Sequence, residues 1–193
     1  MSRAPFSAKP EYVSTARTIH NLALVGFMGT GKSSVGQLAA GQLHFRFVDT
    51  DELIEERSGK SITGIFADEG ETRFREYERA VVEELNTWHK TVIATGGGLV
   101  TIPENLALLK THALVVCLWA SPEAIWERVR HQTHRPLLQT PDPPKKIREL
   151  LTRREPFYRQ ADVLINTDRR SIKEVVHQVI HQFRLARSDS IRP

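Results

Sequence analysis

Residues 21–34, NLALVGFMGTGKSS, run a short apolar stretch straight into a glycine-rich turn that ends in a lysine and two serines. Gly26, four residues, Gly31, Lys32 and Ser33 satisfy the pattern GxxxxGK[ST], the P-loop. Backbone N–H groups can curl inward around a phosphate only where side chains are missing, and the turn must leave a strand and open a helix whose positive end faces the same anion. Val35, Leu38, Ala39 and Leu43 recur near helical spacing after the turn and supply that helix. Gly29, Thr30, Gly31, Lys32, Ser33 and Ser34 are therefore candidate ligands for the phosphates of a nucleoside triphosphate. Lys32 adds a mobile cation, and the Ser33 hydroxyl suits Mg²⁺.

The rest of the chain extends the same pattern. Apolar runs at 21–27, 45–49, 91–95, 113–119 and 162–167 show little alternation, as strands covered on both faces do, and helical stretches lie between them. Ser121 followed by Pro122 predicts a capped helix start, and Ser171 with Glu174 a capping box. Strands alternating with helices predict an α/β fold with a parallel sheet, whose ligands sit at the carboxyl ends of the strands. With 193 residues the expectation is a single domain over 21–184, an N-terminal extension over 1–20 and a C-terminal tail over 185–193. The polar, proline-rich segment 131–146 reads as a surface loop long enough to be a lid, and the helix is expected to fray after Phe183.

Composition limits the function classes. The longest apolar run, ALVVCLWA, is too short to cross a bilayer, and the N-terminus lacks the apolar block of a secretory signal, so no membrane association and a cytoplasmic location are expected. The formal charge of +4 suits a protein that handles phosphates or carboxylates; its basic residues are interspersed with acids, which argues against a nucleic-acid partner. Cys117 lies inside an apolar run and reads as inert packing. His177 and His181 imitate a zinc helix, but Gln178 stands where a catalytic glutamate would be needed, so no structural metal is expected. The guanine-reading NKxD tetrad is absent, and the small size favours a small-molecule kinase over a motor ATPase.

Further candidates cluster just after the predicted strands. Asp49 and Asp51, two apart at the end of an extended run, would point the same way: one acid would hold Mg²⁺ or its water shell and the other would orient a hydroxyl, with helix capping the alternative for one of them. Arg75 lies on a helix within reach of Glu71 and Glu78 and can be a plain surface ion pair. Arg153, Arg154 and Arg159 sit near a helix end, where cations also favour the dipole. A second glycine turn, Gly96, Gly97 and Gly98, follows the third apolar run.

In order, GFMGTGKSS, VDTDELIE, GKSITGIFADEGETRFREYE, TGGGLV, RPLL and RREPFYR resemble the motif series of the shikimate kinase family from about Leu22 to Phe183. That resemblance implies a P-loop kinase sandwich with a five-stranded parallel sheet in the order 2-3-1-4-5, a substrate-binding helical section at about 50–80 and a lid at about 131–145. It implies transfer of the γ-phosphoryl group of ATP, with Mg²⁺, to the 3-hydroxyl of shikimate in the route to chorismate and aromatic amino acids. Asp51 would contact the shikimate hydroxyls, Arg75 and Arg154 its carboxylate, and Gly97 would contact it through the backbone. Arg135 would reach the phosphates, with Arg128 and Arg170 near the adenine. Ile172 stands where the family often has proline. On this reading the second turn admits the acceptor as the first admits the donor, with Lys32, Asp51 and Arg135 catalytic and Ser33 and Asp49 holding the metal. A kinase for another hydroxy acid such as gluconate, and a non-catalytic nucleotide-binding module, are the rival functions. No coiled-coil or obvious interface pattern is present, and a monomer is expected.

Overall fold

The structure, a computed structural model, describes residues 17–131 and 140–189. The apolar runs become β1 (Asn21–Val25), β2 (Arg46–Asp49), β3 (Thr91–Ala94), β4 (Ala113–Trp119) and β5 (Val163–Asn166). All pairings are parallel, and the order is β2-β3-β1-β4-β5. β1 is buried along its whole length because it runs between β3 and β4 under helices on both sides.

Successive side chains of a strand point to opposite faces, and the two cores divide accordingly. Leu22, Leu24, Leu114, Val116 and Leu118 pack with α1 (Lys32–Leu43) and α8 (Ile172–Asp189). Ala23, Val25, Ile93, Val115 and Cys117 face the other layer. That layer comprises α2 (Thr50–Ser58), α3 (Ile62–Asp68), α4 (Gly70–Leu85), α5 (Pro103–His112), α6 (Pro122–Val129) and α7 (Pro143–Tyr158). The result is an α/β/α sandwich. Parallel strands put all five carboxyl ends on one edge, and the chain adds β2 and β3 on one side of β1 and β4 and β5 on the other, the reversal of strand order at which such folds open a crevice.

The expected caps form. Ser121 accepts from the Ala124 N–H with Pro122 opening α6, and Ser171 and Glu174 bond reciprocally, at 2.7 Å to the Ser171 N–H and 3.3 Å from the Glu174 N–H. Other expectations shift. α8 continues past Phe183 to Asp189, since its apolar stripe packs on the sheet and on α1. The segment read as a lid is helical from Pro143, where Asp142 caps α7 and proline fits a first turn. The end of the segment read as an extension is tied down: Ile19 is core, and Arg17 pairs with the buried Asp162, which also accepts from the Val115 N–H at 2.9 Å. Among the described residues no helix is long and apolar enough to cross a membrane.

Candidate active site

The first glycine turn leaves β1 and enters α1 as expected. Gly26 has φ 134°, and a Cβ there would lie 2.3 Å from the Leu118 carbonyl oxygen, so glycine is required on both counts. Gly31, at φ 96°, precedes the helix and has no side chain to cap it. The Val35 N–H is the one that closes on Gly31 O, at 2.8 Å, so the first-turn N–H groups of Lys32, Ser33 and Ser34 face outward as anion donors. Thr30 stiffens the turn by donating to Phe27 O at 2.8 Å. The Lys32 ammonium folds back onto the same carbonyl at 3.0 Å.

Asp49 and Asp51 do not share one extended segment. Asp49 ends β2 and is the N-cap of α2, accepting from the Asp51 N–H at 3.1 Å, so Asp51 belongs to the first helical turn. The alternatives of cap and function turn out to be compatible, because the second oxygen of Asp49 accepts from Ser33 Oγ at 2.8 Å. This joins two hard oxygen donors beside the phosphate cradle, a set that suits Mg²⁺. Among the described residues no group of three or more His, Cys, Asp or Glu could hold a metal by itself. The fit is therefore to an ion that keeps water and phosphate oxygens in its shell.

The second turn abuts the first. A Cβ on Gly97 would come within 3.6 Å of Gly26 O and 3.7 Å of the Met28 nitrogen. Each glycine of the triplet also faces one of the polar candidates. A Cβ would meet Asp51 Oδ1 at 2.4 Å from Gly96, Arg154 Nη1 at 3.4 Å from Gly97 and Arg75 Nη1 at 3.0 Å from Gly98. None of the three has a positive φ, so space and not conformational freedom is the issue in this turn: a Cβ would clash at Gly96, be tight at Gly98 and make ordinary contacts at Gly97. Four segments far apart in the chain, on α2, α4, α7 and after β3, converge here.

The arginines are held in place by different means. Arg75 donates to Glu71 at 2.8 Å and to Glu78 at 2.7 Å. Glu78 is 1% exposed, and burial pushes its carboxyl above the ordinary range against the pull of Arg75. The surface ion pair read from sequence is thus half of the arrangement; the other half is a buried carboxylate that anchors the guanidinium beside Gly98. Arg154 lies over the Phe27 ring at 5.6 Å, which joins α7 to the first turn.

A cavity of about 740 Å³ runs from Asp51 and Gly97 past the first turn to Arg128, Arg170 and Ile172. Arg128 bridges its walls, donating to Gly29 O at 3.2 Å and, through its two terminal nitrogens, to the Thr167 hydroxyl at 2.9 Å and carbonyl at 2.8 Å. Arg170 lines the cavity, and its guanidinium donates to Gln178 on α8 at 2.6 Å. Arg135 lies outside the described residues, as do the other residues of 132–139 in the segment read as a lid. Cys117 is buried, and burial pushes its thiol up to about 12, in keeping with inert packing. His177 and His181 lie on the exposed face of α8.

Sequence reasoning missed three residues that hold the site together. Thr50 Oγ1 accepts from the Gly96 N–H at 2.8 Å, Tyr158 donates to Gly97 O at 2.6 Å, and Thr167 anchors Arg128. Tyr158 sits among the arginines of RREPFYR, and Thr50 lies between the two acids. No local pattern marks either hydroxyl.

Known proteins carry the same architecture. The shikimate kinase family model matches residues 28–184. A shikimate kinase of Caldanaerobacter subterraneus subsp. tengcongensis is 45% identical over 163 residues, covering 84% of this chain and 95% of that protein. The structure of an Acinetobacter baumannii shikimate kinase in complex with shikimate is 37% identical, with a TM-score of 0.82 over 91% of this chain and 97% of that one. A gluconokinase of Sinorhizobium meliloti shares the fold, with a TM-score of 0.59 over 89% of this chain and 97% of that one, at 18% identity. A family model that spans both glycine turns, α4 and α7, joined by relatives this similar along nearly their whole length, assigns the chain: it belongs to the shikimate kinase family.

Proposed function

We propose that the protein is a shikimate kinase that transfers the γ-phosphoryl group of ATP to the 3-hydroxyl of shikimate, giving 3-phosphoshikimate and ADP. The observation that carries this reading is the contact of the glycine triplet with Asp51, Arg154 and Arg75, directly beside a phosphate cradle and in line with one continuous cavity. A small acceptor bearing a carboxylate and hydroxyls matches that set of one acid, two guanidiniums and bare backbone. The biological context is the synthesis of chorismate and aromatic amino acids by a cytoplasmic, monomeric enzyme with one catalytic domain over 21–184.

Phosphoryl transfer asks for in-line positioning and charge neutralisation more than for covalent chemistry. The N–H groups from Gly29 to Ser34 receive the phosphates, and Lys32 swings from Phe27 O to the transferring group. Ser33 and Asp49 would hold Mg²⁺, which would supply neutralisation of the phosphate charge. Asp51 orients the acceptor hydroxyl and takes its proton as the new P–O bond forms and the bond from the γ-phosphorus to the bridging oxygen breaks, that oxygen leaving on ADP. Arg75 and Arg154 clamp the carboxylate, while Arg128 and Arg170 border the adenine end. Arg135 supplies a further charge to the phosphates and helps exclude water.

The test is coupled ADP release with Mg·ATP, comparing shikimate, gluconate and no acceptor. Strong stimulation by shikimate alone is expected. Equal rates with all three would refute the acceptor assignment and leave a nucleotide site only.

A further inference from the structure

The turn after β3 has three successive peptide units whose orientations are set by partners outside the catalytic set. The Gly96 N–H donates to Thr50 Oγ1 at 2.8 Å, Gly96 O accepts from the Leu99 N–H at 3.2 Å, and Gly97 O accepts from the Tyr158 hydroxyl at 2.6 Å. In a planar trans peptide the carbonyl and the following N–H point in opposite directions. Fixing Gly96 O therefore aims the Gly97 N–H away from Leu99, and fixing Gly97 O aims the Gly98 N–H away from Tyr158. Neither of these two N–H groups donates to an acceptor among the described residues. Gly97 lines the cavity, and the guanidiniums of Arg154 and Arg75 stand beside the pair.

Tyr158 and Thr50 are fully buried. A phenylalanine would fill the Tyr158 site as well, so packing accounts for the ring and not for its hydroxyl. Burial pushes that hydroxyl up to about 12, against the Arg154 guanidinium one turn earlier on α7, which keeps it a neutral donor. α7 thus brings two things to the acceptor side: Arg154 directly, and the orientation of the glycine backbone through Tyr158.

We propose that Tyr158 is a positioning residue for the acceptor: by holding the Gly97 carbonyl it presents the Gly98 N–H, beside that of Gly97, as preformed donors to the oxygens of shikimate, with Thr50 fixing the start of the turn. This rests on the acceptor assignment above. A turn held before the ligand arrives does not have to be ordered when it binds, and its contribution falls on acceptor affinity and not on nucleotide affinity.

The experiment is Tyr158→Phe in the full chain, with KM measured separately for shikimate and ATP and with the melting temperature recorded. The expected result is a rise in shikimate KM of about tenfold with ATP KM within about twofold of wild type. A wild-type shikimate KM, or equal rises in both constants, overturns the proposal, since a merely structural hydroxyl would not discriminate between the two ligands. If the variant does not fold, the wild-type protein decides: the Gly97 and Gly98 amide resonances shift on titration with shikimate, and unmoved resonances overturn the proposal. Failure of the acceptor assignment itself is separate, for it would show as wild-type protein without shikimate-dependent ADP release.

Discussion

Gly96→Ala separates stability from catalysis in this site. The added methyl carbon would stand 2.4 Å from Asp51 Oδ1, whereas non-bonded heavy atoms settle about 3.5 Å apart, so something must move by about 1 Å. The backbone cannot easily yield, because the Gly96 N–H is held by Thr50 at 2.8 Å. Gly96 has no positive φ, so alanine brings no conformational strain. The atom that yields is the end of the Asp51 side chain, which costs little stability. The same 1 Å matters for phosphoryl transfer, where a misplacement of that size costs about a hundredfold in rate, or roughly 2.7 kcal/mol of barrier. The assay pairs kcat from coupled ADP release with thermal unfolding. The expectation is a kcat lower by about two orders of magnitude, a melting temperature within about 3 °C of wild type and an unchanged ATP KM. A kcat within about threefold of wild type would refute the role given to Asp51, and a collapsed melting temperature would refute the claim that its side chain is what gives way.

Other expectations reach different parts of the molecule. Arg75→Ala should raise shikimate KM far more than ATP KM, by roughly 2–5 kcal/mol in acceptor binding, because it removes a clamp and leaves Glu78 buried without its partner; steady-state kinetics with each substrate varied checks it. Gly41→Ala, in α1 with open space around a new methyl group, should stabilise the fold by about 0.5–1 kcal/mol in urea titrations. Asp162→Ala strips Arg17 and Lys110 of a carboxylate that is 1% exposed and should cost roughly 3 kcal/mol by the same measurement. His112 gives a pH dependence: burial, with His20, His89 and Arg17 nearby, holds its pKa at about 4, and its Nδ1 accepts from the Asn21 amide at 2.9 Å. A depressed folded-state pKa contributes stability that is present above the unfolded value of about 6.5 and is lost as pH falls toward 4, here on the order of 3 kcal/mol, and His112→Gln should flatten that slope.

Much of this protein could be read from contiguous residues. The strand, turn and helix of NLALVGFMGTGKSS lie next to one another in the chain, and backbone sterics with helix polarity act at that range. The caps at Ser121 and Ser171 are equally local and form as expected. Where such rules met competition they were less complete. By pattern Asp49 suits a cap or a metal ligand, yet a carboxylate has two oxygens: one accepts from the Asp51 N–H and the other from Ser33.

The sequence by itself determined a parallel α/β fold with a phosphate cradle, because periodicity, turn chemistry and capping are properties of neighbouring residues. Through its motif series it also indicated the family. Only the tertiary structure decided how the second turn works. Asp51 from α2 stands where a Cβ on Gly96 would be, Arg75 from α4 crowds Gly98 and Arg154 from α7 lies at contact distance from Gly97, so a side chain there would displace the site's own polar groups, a constraint that no window of the sequence contains. The buried anchors, Glu78 under Arg75, Thr50 at Gly96, Tyr158 at Gly97 and Arg17 on Asp162, join residues up to 145 positions apart. A hydroxyl or carboxylate carries no sign of a partner that distant, because the pairing exists only once packing has closed the space between them.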